Sequence, residues 1–140
     1  MSDSHKELEE GNRLQLDFQK LRKIASTDQA VVPVVVQCAE TEQVLIVAYA
    51  NRRALDESQR RGIAVFWSTS RNELWVKGAS SGDTLKLEEI RVNCEQNSLL
   101  YRVRRSGDGS CHTRRADGRT RSGCYYRRLH PEGRLENMEP

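Results

Sequence analysis

Two runs of β-branched and aliphatic residues, separated by only five residues, constrain the fold of this 140-residue chain more than any other feature. They cover residues 31–37 and 43–49. Such residues favour strands, and the short polar connection favours an antiparallel pair. Pro33 lacks a backbone donor, so we expect the first strand to lie at a sheet edge or to carry a bulge. Both runs are far shorter than the ~20 residues that cross a bilayer.

Helical patterns flank these runs. Leu14, Phe18 and Leu21 recur at helical spacing and predict an amphipathic helix over 12–25 that packs on the core, within an amino-terminal helical extension over 1–30. Asn51 and Gly62 stand where helix caps belong, which predicts a short helix between them.

The rest of the chain alternates strand patterns with glycine-containing turns. Residues 130–140 are rich in Glu, Gly and Pro and predict a flexible tail. We therefore expect a single α+β domain over 1–140, mainly antiparallel β-sheet with two or three helices. The further strands are predicted over 63–67, 74–77, 84–92 (with a bulge near 88–89) and 99–105.

Charge and compartment narrow the class of protein. Residues 101–128 hold nine arginines against two aspartates and no lysine, a composition that favours bidentate phosphate contacts, although such runs are usually solvated surface. The first residues lack an apolar stretch with a cleavage site, so we expect a cytoplasmic protein. In a reducing compartment, cysteines more often bind metal or do chemistry than form disulfides.

Three of the four cysteines, Cys94, Cys111 and Cys124, lie in the final third of the chain, and His112 follows the second of them. They could form a closed zinc site with His112 as fourth ligand, or an open three-cysteine site with water. Neighbouring side chains diverge on extended backbone, so the open site, with His112 free to move protons, fits better. The alternative is that these are incidental buried thiols. Cys38 is expected to pack as a small apolar side chain.

Several motifs in order resemble the phosphoribosyl-AMP cyclohydrolase family of histidine biosynthesis. The resemblance covers about two thirds of the chain, from about residue 32 to residue 126. The motifs are VLIVAYANRRAL at 44–55, VFWSTSR at 65–71, LWVKGASSG at 74–82, IRVNC at 90–94, CHT at 111–113 and SGCYY at 122–126.

The resemblance implies an intertwined homodimer with active sites at the subunit interface. It further implies zinc on Cys94, Cys111 and Cys124, drawn from both chains, with His112 as the catalytic histidine. The reaction implied is hydrolysis of the C6–N1 bond of an adenine ring whose N1 carries a phosphoribosyl group. The substrate-binding positions implied are Trp67, Ser68, Ser70, Arg71, Lys77, Gly78, Ser80, Ser81 and Gly82.

The sequence departs from the family at the segment where three aspartates hold magnesium. Here it reads Asn93, Cys94, Glu95, Gln96, Asn97, with one carboxylate, so magnesium binding is doubtful. Thr69 replaces a common arginine, and the linker 113–123 is longer and arginine-rich. Two alternatives follow: a diverged paralogue acting on another purine-like or phosphorylated heterocycle and, less favoured, a nucleic-acid-binding module with structural zinc.

Overall fold

A computed structural model of the chain describes residues 3–107 and 109–140. The helices and strands follow each other as α1 (Asp3–Glu10), α2 (Lys20–Ala25), β1 (Val32–Cys38), β2 (Val44–Ala50), α3 (Arg52–Arg61), β3 (Val65–Ser68), β4 (Glu73–Val76), β5 (Leu85–Val92), β6 (Leu99–Arg105), β7 (Arg127–Leu129) and β8 (Leu135–Asn137). No helix among the described residues is long and apolar enough to span a membrane.

The main sheet has four strands in the order β2-β1-β6-β5. β1 pairs antiparallel with β2 and parallel with β6, and β5 pairs antiparallel with β6. The β5–β6 register shifts between Leu87 and Glu89, which confirms the predicted bulge. β3 pairs with β4, and β7 with β8, as separate antiparallel pairs. The predicted α+β class with mainly antiparallel pairing and three helices is confirmed.

Of the two alternatives predicted for β1, the edge position is wrong, because β1 lies between β2 and β6, whereas the bulge is found in its pairing with β2. Pro33 is tolerated there because pairing with β6 starts only at Val34, one residue further on. The missing donor at Pro33 therefore interrupts no hydrogen bond to β6. A register shift against β2 does occur, but between Val36 and Gln37.

Helix α3 has the predicted caps and closes one side of the core. The Asn51 side chain accepts a hydrogen bond from Ala54 N at 2.9 Å, and Gly62 ends the helix with φ 69°. Ser58 then donates to the Val65 carbonyl and accepts from the Val65 amide, both at 2.9 Å, which fixes the helix to β3. Beneath it, the buried rings of Phe66 and Tyr101 stack with centroids 5.9 Å apart.

Both chain ends differ from the sequence prediction. Of the helix predicted over 12–25, only α2 (Lys20–Ala25) forms, after an irregular stretch. Leu14, Phe18 and Leu21 are exposed while Ile24 is buried. The flexible tail predicted over 130–140 is wrong for 135–139. There β8 pairs with β7, and Glu139 accepts hydrogen bonds from Arg115 and Ser122.

Candidate active site

Cys111 and Cys124 lie together where the segment after β6 returns to the sheet. Cys111 N donates to the Arg121 carbonyl at 3.2 Å, and Cys124 N donates to the Leu45 carbonyl of β2 at 2.7 Å. A Cβ at position 123 would stand 3.1 Å from Leu45 Cα, closer than most such contacts, so glycine eases this approach. The backbone thus holds two sulfurs, separated by 13 residues in sequence, at one place beside β2.

The two thiols form an electrostatically coupled pair. The hydrogen bond from Cys124 lowers the pKa of Cys111 to about 5, helped by Thr113, whose Oγ1 lies 3.0 Å from the Cys111 sulfur. The same hydrogen bond and burial raise the pKa of Cys124. At neutral pH the pair therefore carries one thiolate and one proton, and a cation of suitable softness can take the place of that proton.

Cys94 lies elsewhere on the chain. It is exposed in the turn that follows β5, the edge strand of the sheet. Over residues 3–107 and 109–140, no group of three His, Cys, Asp or Glu side chains is placed to hold a metal. Two sulfurs sharing one proton suit zinc, which takes thiolate ligands in tetrahedral geometry. One chain thus gathers two of the three predicted zinc ligands.

The residues predicted as a degenerate magnesium site do not fit that ion. Asn93 Oδ1 accepts hydrogen bonds from the amides of Asn97 and Ser98 at 2.9 Å. Asn97 Oδ1 accepts from Asn93 Nδ2 at 2.7 Å, and Asn97 Nδ2 donates to Glu95 at 3.3 Å. The amide oxygens are committed to closing the turn, and Glu95 is the single carboxylate, whereas magnesium demands octahedral, mainly anionic oxygen ligands.

His112 follows Cys111 directly, and its hydrogen-bond partner is on the amino-terminal side of the chain. The side chain is 74% exposed, and Nε2 contacts Glu9 Oε2. The ring lines a cavity of about 460 Å³ together with five of the predicted substrate-binding residues. These five are Arg71, Lys77, Gly78, Ser80 and Ser81.

The loop after β4 shapes one wall of this cavity. Gly78 has φ 82°, and a Cβ there would lie 2.2 Å from the Asp83 carbonyl carbon, so the turn requires glycine. Gly82 N donates to the Gly78 carbonyl at 2.8 Å and closes the loop. Lys77 is buried at its start, and its charge acts on the Cys124 thiol. A cation, a glycine turn and a histidine thus surround one opening.

The structure does not bring the other predicted substrate-binding residues into this cavity. Trp67, Ser68 and Ser70 line a separate opening of about 200 Å³, whose wall also contains Lys20 and Tyr49. Gly82 lines neither opening, although it closes the loop that does.

Sequence reasoning missed the amino-terminal arm, residues 3–12, which lies against the site. Arg121, 2% exposed, donates from both terminal nitrogens to Glu10 at 2.6 and 2.9 Å. Tyr126 Oη donates to the Glu9 carbonyl at 2.8 Å. The arginine also lies over the Tyr126 ring, 4.4 Å from its centroid. Complementary charge was the sequence signal that could have indicated this docking, because acidic residues near the start of the chain can pair with the arginines of 114–121.

Replacing Glu10 by Gln is expected to lower the free energy of unfolding by about 1.5–3 kcal/mol, because a buried guanidinium loses its charged partner. Arg121 holds the pKa of Glu10 below its ordinary value. The carboxylate therefore stabilises the fold above the unfolded-state pKa of about 4.3, and this contribution disappears as pH falls through the lower folded-state pKa. Urea unfolding at pH 7 and at pH 3 measures both effects.

Glu57→Gln is the matched control, because its partners Arg60 and Arg61 are exposed surface residues of α3. That change should leave the free energy of unfolding almost unaltered, because exposed ion pairs contribute little to stability. Equal losses in the two variants would contradict the assignment of Glu10 as the anchor of the arm.

The fold and site define a class of protein: a small α+β protein with a paired-thiol centre next to an exposed histidine and a glycine-lined cavity that contains Arg71 and Lys77. The sequence pattern of the phosphoribosyl-AMP cyclohydrolase family matches residues 46–126. Proteins named phosphoribosyl-AMP cyclohydrolase are similar over most of their length. That of Salinibacter ruber is 45% identical over 107 residues, 76% of this chain and 79% of its own.

Two further relatives of that name agree. The Methylococcus capsulatus protein is 43% identical over 120 residues, 86% of this chain and 88% of its own. The Bordetella parapertussis protein is 39% identical over 119 residues, 85% and 83% of the two chains. The chain belongs to the phosphoribosyl-AMP cyclohydrolase family and is a cyclohydrolase enzyme, which confirms the resemblance found in its sequence.

Proposed function

We propose that this chain hydrolyses the C6–N1 bond of the adenine ring of phosphoribosyl-AMP, as a zinc enzyme and a homodimer, in the third step of histidine biosynthesis. The observation that carries the proposal is the common cavity of His112 with Arg71, Lys77 and the 78–81 loop, beside the Cys111–Cys124 pair. It combines cations for phosphate, a proton carrier and thiolate ligands.

Each group has a distinct task. Arg71 and Lys77 attract the phosphates, and backbone amides of the glycine-bounded loop can donate to phosphate oxygens. His112, exposed at the mouth, accepts a proton as water adds to C6 and returns it to N1 as the ring opens. Cys111, Cys124 and a third thiolate would hold zinc, which would supply Lewis acidity and lower the pKa of a bound water.

The third thiolate comes, in this proposal, from Cys94 of a second chain. Cys94 is exposed at the end of an edge strand, and its neighbour Val92 is an apolar side chain 56% exposed. A second chain packed there buries apolar surface and delivers a sulfur to the other chain's pair. The four cysteines are free thiols, and we place the enzyme in the cytoplasm, a reducing compartment.

The direct test is turnover. Zinc-loaded protein incubated with phosphoribosyl-AMP is expected to produce the absorbance change of ring opening, whereas AMP, which lacks the N1 substituent, should stay unchanged. Added magnesium should not be required through residues 93–97, because that turn does not fit the ion. An inactive protein with one zinc bound per chain contradicts the proposed reaction.

The hydrogen-bonded turn of Asn93, Glu95 and Asn97 favours a second candidate, a diverged paralogue acting on another purine-like or phosphorylated heterocycle. Aspartates introduced at these three positions separate the two. A large gain in activity on phosphoribosyl-AMP supports a site adapted to another substrate, and no gain supports the family reaction without these carboxylates.

A nucleic-acid-binding module is disfavoured because five of the nine arginines of 101–128 pair with carboxylates.

A further inference from the structure

The arm brings a carboxylate to the ring of the candidate catalytic histidine. Glu9, in the last turn of α1, contacts His112 Nε2 through Oε2, and its side chain is only 13% exposed. The same oxygen lies 3.5 Å from His5 Nε2. Within the described part of the chain, the hydrogen bond of the His112 ring is made through Nε2 and goes to Glu9.

The segment that carries Glu9 is held in place at three consecutive residues. Tyr126 holds the Glu9 carbonyl, the buried Arg121 holds Glu10, and Arg127 donates to the Gly11 carbonyl at 3.0 Å. Three consecutive residues of the arm are thus fixed by side chains of the segment that carries Cys124. A carboxylate delivered by so constrained a backbone is preorganised, which distinguishes it from an incidental surface contact.

We propose that Glu9 is a positioning residue for His112, an inference that rests on the proposed function. By accepting the Nε2 hydrogen, the carboxylate fixes the ring orientation and the tautomer, and leaves Nδ1 as the nitrogen that exchanges protons with the substrate. The family pattern matches residues 46–126, so Glu9 lies outside the matched segment. The arm adds a component to the site that the family motifs do not contain.

The cavities distinguish positioning from obstruction. Glu9 lines a second opening, of about 710 Å³, on the arm side of His112. It does not line the 460 Å³ cavity that holds Lys77 and the 78–81 loop. The carboxylate therefore contacts the ring without lining the cavity of the phosphate-binding groups, so it does not occupy the space that an anionic substrate would take.

Kinetics of Glu9→Ala and Glu9→Asp give the first test. Removing the carboxylate should lower kcat by roughly 10- to 10³-fold with little change in KM. Replacing the buried aspartate of a catalytic triad lowers kcat by about 10⁴-fold. We expect a smaller decrease in kcat here, because His112 is exposed. Glu9→Asp should recover part of kcat. Glu7→Ala, an exposed carboxylate on the same helix, is the matched control and should remain within about twofold of the unchanged enzyme.

Unchanged kcat in Glu9→Ala overturns the proposal, and increased kcat would instead identify the arm as an inhibitory contact. Fully restored kcat in Glu9→Gln supports a hydrogen-bond role without charge, because the amide oxygen still accepts from Nε2.

Ring ¹⁵N NMR of the substrate-free protein gives a readout independent of turnover. The His112 signals should report hydrogen predominantly on Nε2, and Glu9→Ala should shift them toward a mixture of tautomers. His130, which pairs with Glu136 at 2.7 Å in the β7–β8 turn, is the internal reference. Identical His112 signals in both proteins overturn the pairing. A shifted tautomer in a protein that never turns over phosphoribosyl-AMP overturns the proposed function instead.

Discussion

Cys111→Ser is expected to abolish zinc binding and to lower hydrolysis of phosphoribosyl-AMP by about 10³-fold or more, because the activated water is lost with the metal. The Cys111 pKa of about 5 means that the sulfur is already a thiolate at neutral pH. A serine hydroxyl at the same position stays protonated and is a poor zinc ligand. Metal analysis of the purified variant, followed by the absorbance assay, measures both losses.

Cys38→Ala is the matched control. Cys38 is 1% exposed and packs in the core, as expected from the sequence, so its loss should cost stability but leave zinc and kcat unchanged. Full zinc occupancy in Cys111→Ser would contradict its assignment as a ligand.

Mixing two inactive variants tests where the third ligand originates. Cys94→Ser and Cys111→Ser should each be inactive alone. If one chain supplies Cys94 and the other supplies Cys111 and Cys124, a heterodimer of the two variants contains one intact site. Statistical exchange of subunits should then restore about one quarter of the zinc sites and activity. No recovery after verified exchange would contradict a site shared between chains.

Local sequence patterns were sufficient to predict helix α3 and the bulge in strand β5. Asn51 and Gly62 define α3 through hydrogen bonds within a few residues, and the phase slip near Glu88 marks the bulge in β5. Both depend on short-range chemistry that the sequence carries directly.

The chain ends depend on distant partners. Phe18 follows Leu14 at helical spacing, yet its side chain is 86% exposed. The spacing could not predict this, because it does not show whether another part of the fold packs against the apolar face. Glu139 is held by Arg115 and Ser122, and Leu135 N donates to the Asn12 carbonyl. These contacts join residues 17 or more positions apart, so they leave no local pattern in the sequence.

The candidate site likewise combines residues that local motifs indicated with contacts that depend on the three-dimensional fold. His112 and the 77–81 segment, both named from motifs, line one cavity in the structure. The motifs did not indicate that the Asn93 and Asn97 amides would bond to each other, nor that Glu9 would reach the histidine. Those contacts follow from turn closure and from the docking of the arm, which three-dimensional packing determines.

His112→Ala is expected to lower kcat by about 10²- to 10⁴-fold, the usual effect of losing one acid–base group. Zinc should stay bound and the fold should be nearly unaffected, because the ring is 74% exposed and contacts Glu9 instead of the sulfur pair. His130→Ala removes a histidine from the β7–β8 turn that does not line the cavity of His112, and it should leave kcat within about twofold.

Two measurements on His112→Ala separate its possible roles. Loss of zinc together with activity would make His112 a metal ligand and contradict its role as proton carrier. A double-variant cycle gives the second measurement: Glu9→Ala should cost little more in the His112→Ala background, because a positioning group has no effect once the side chain it positions is gone. Additive losses would mean that the carboxylate acts independently of the imidazole.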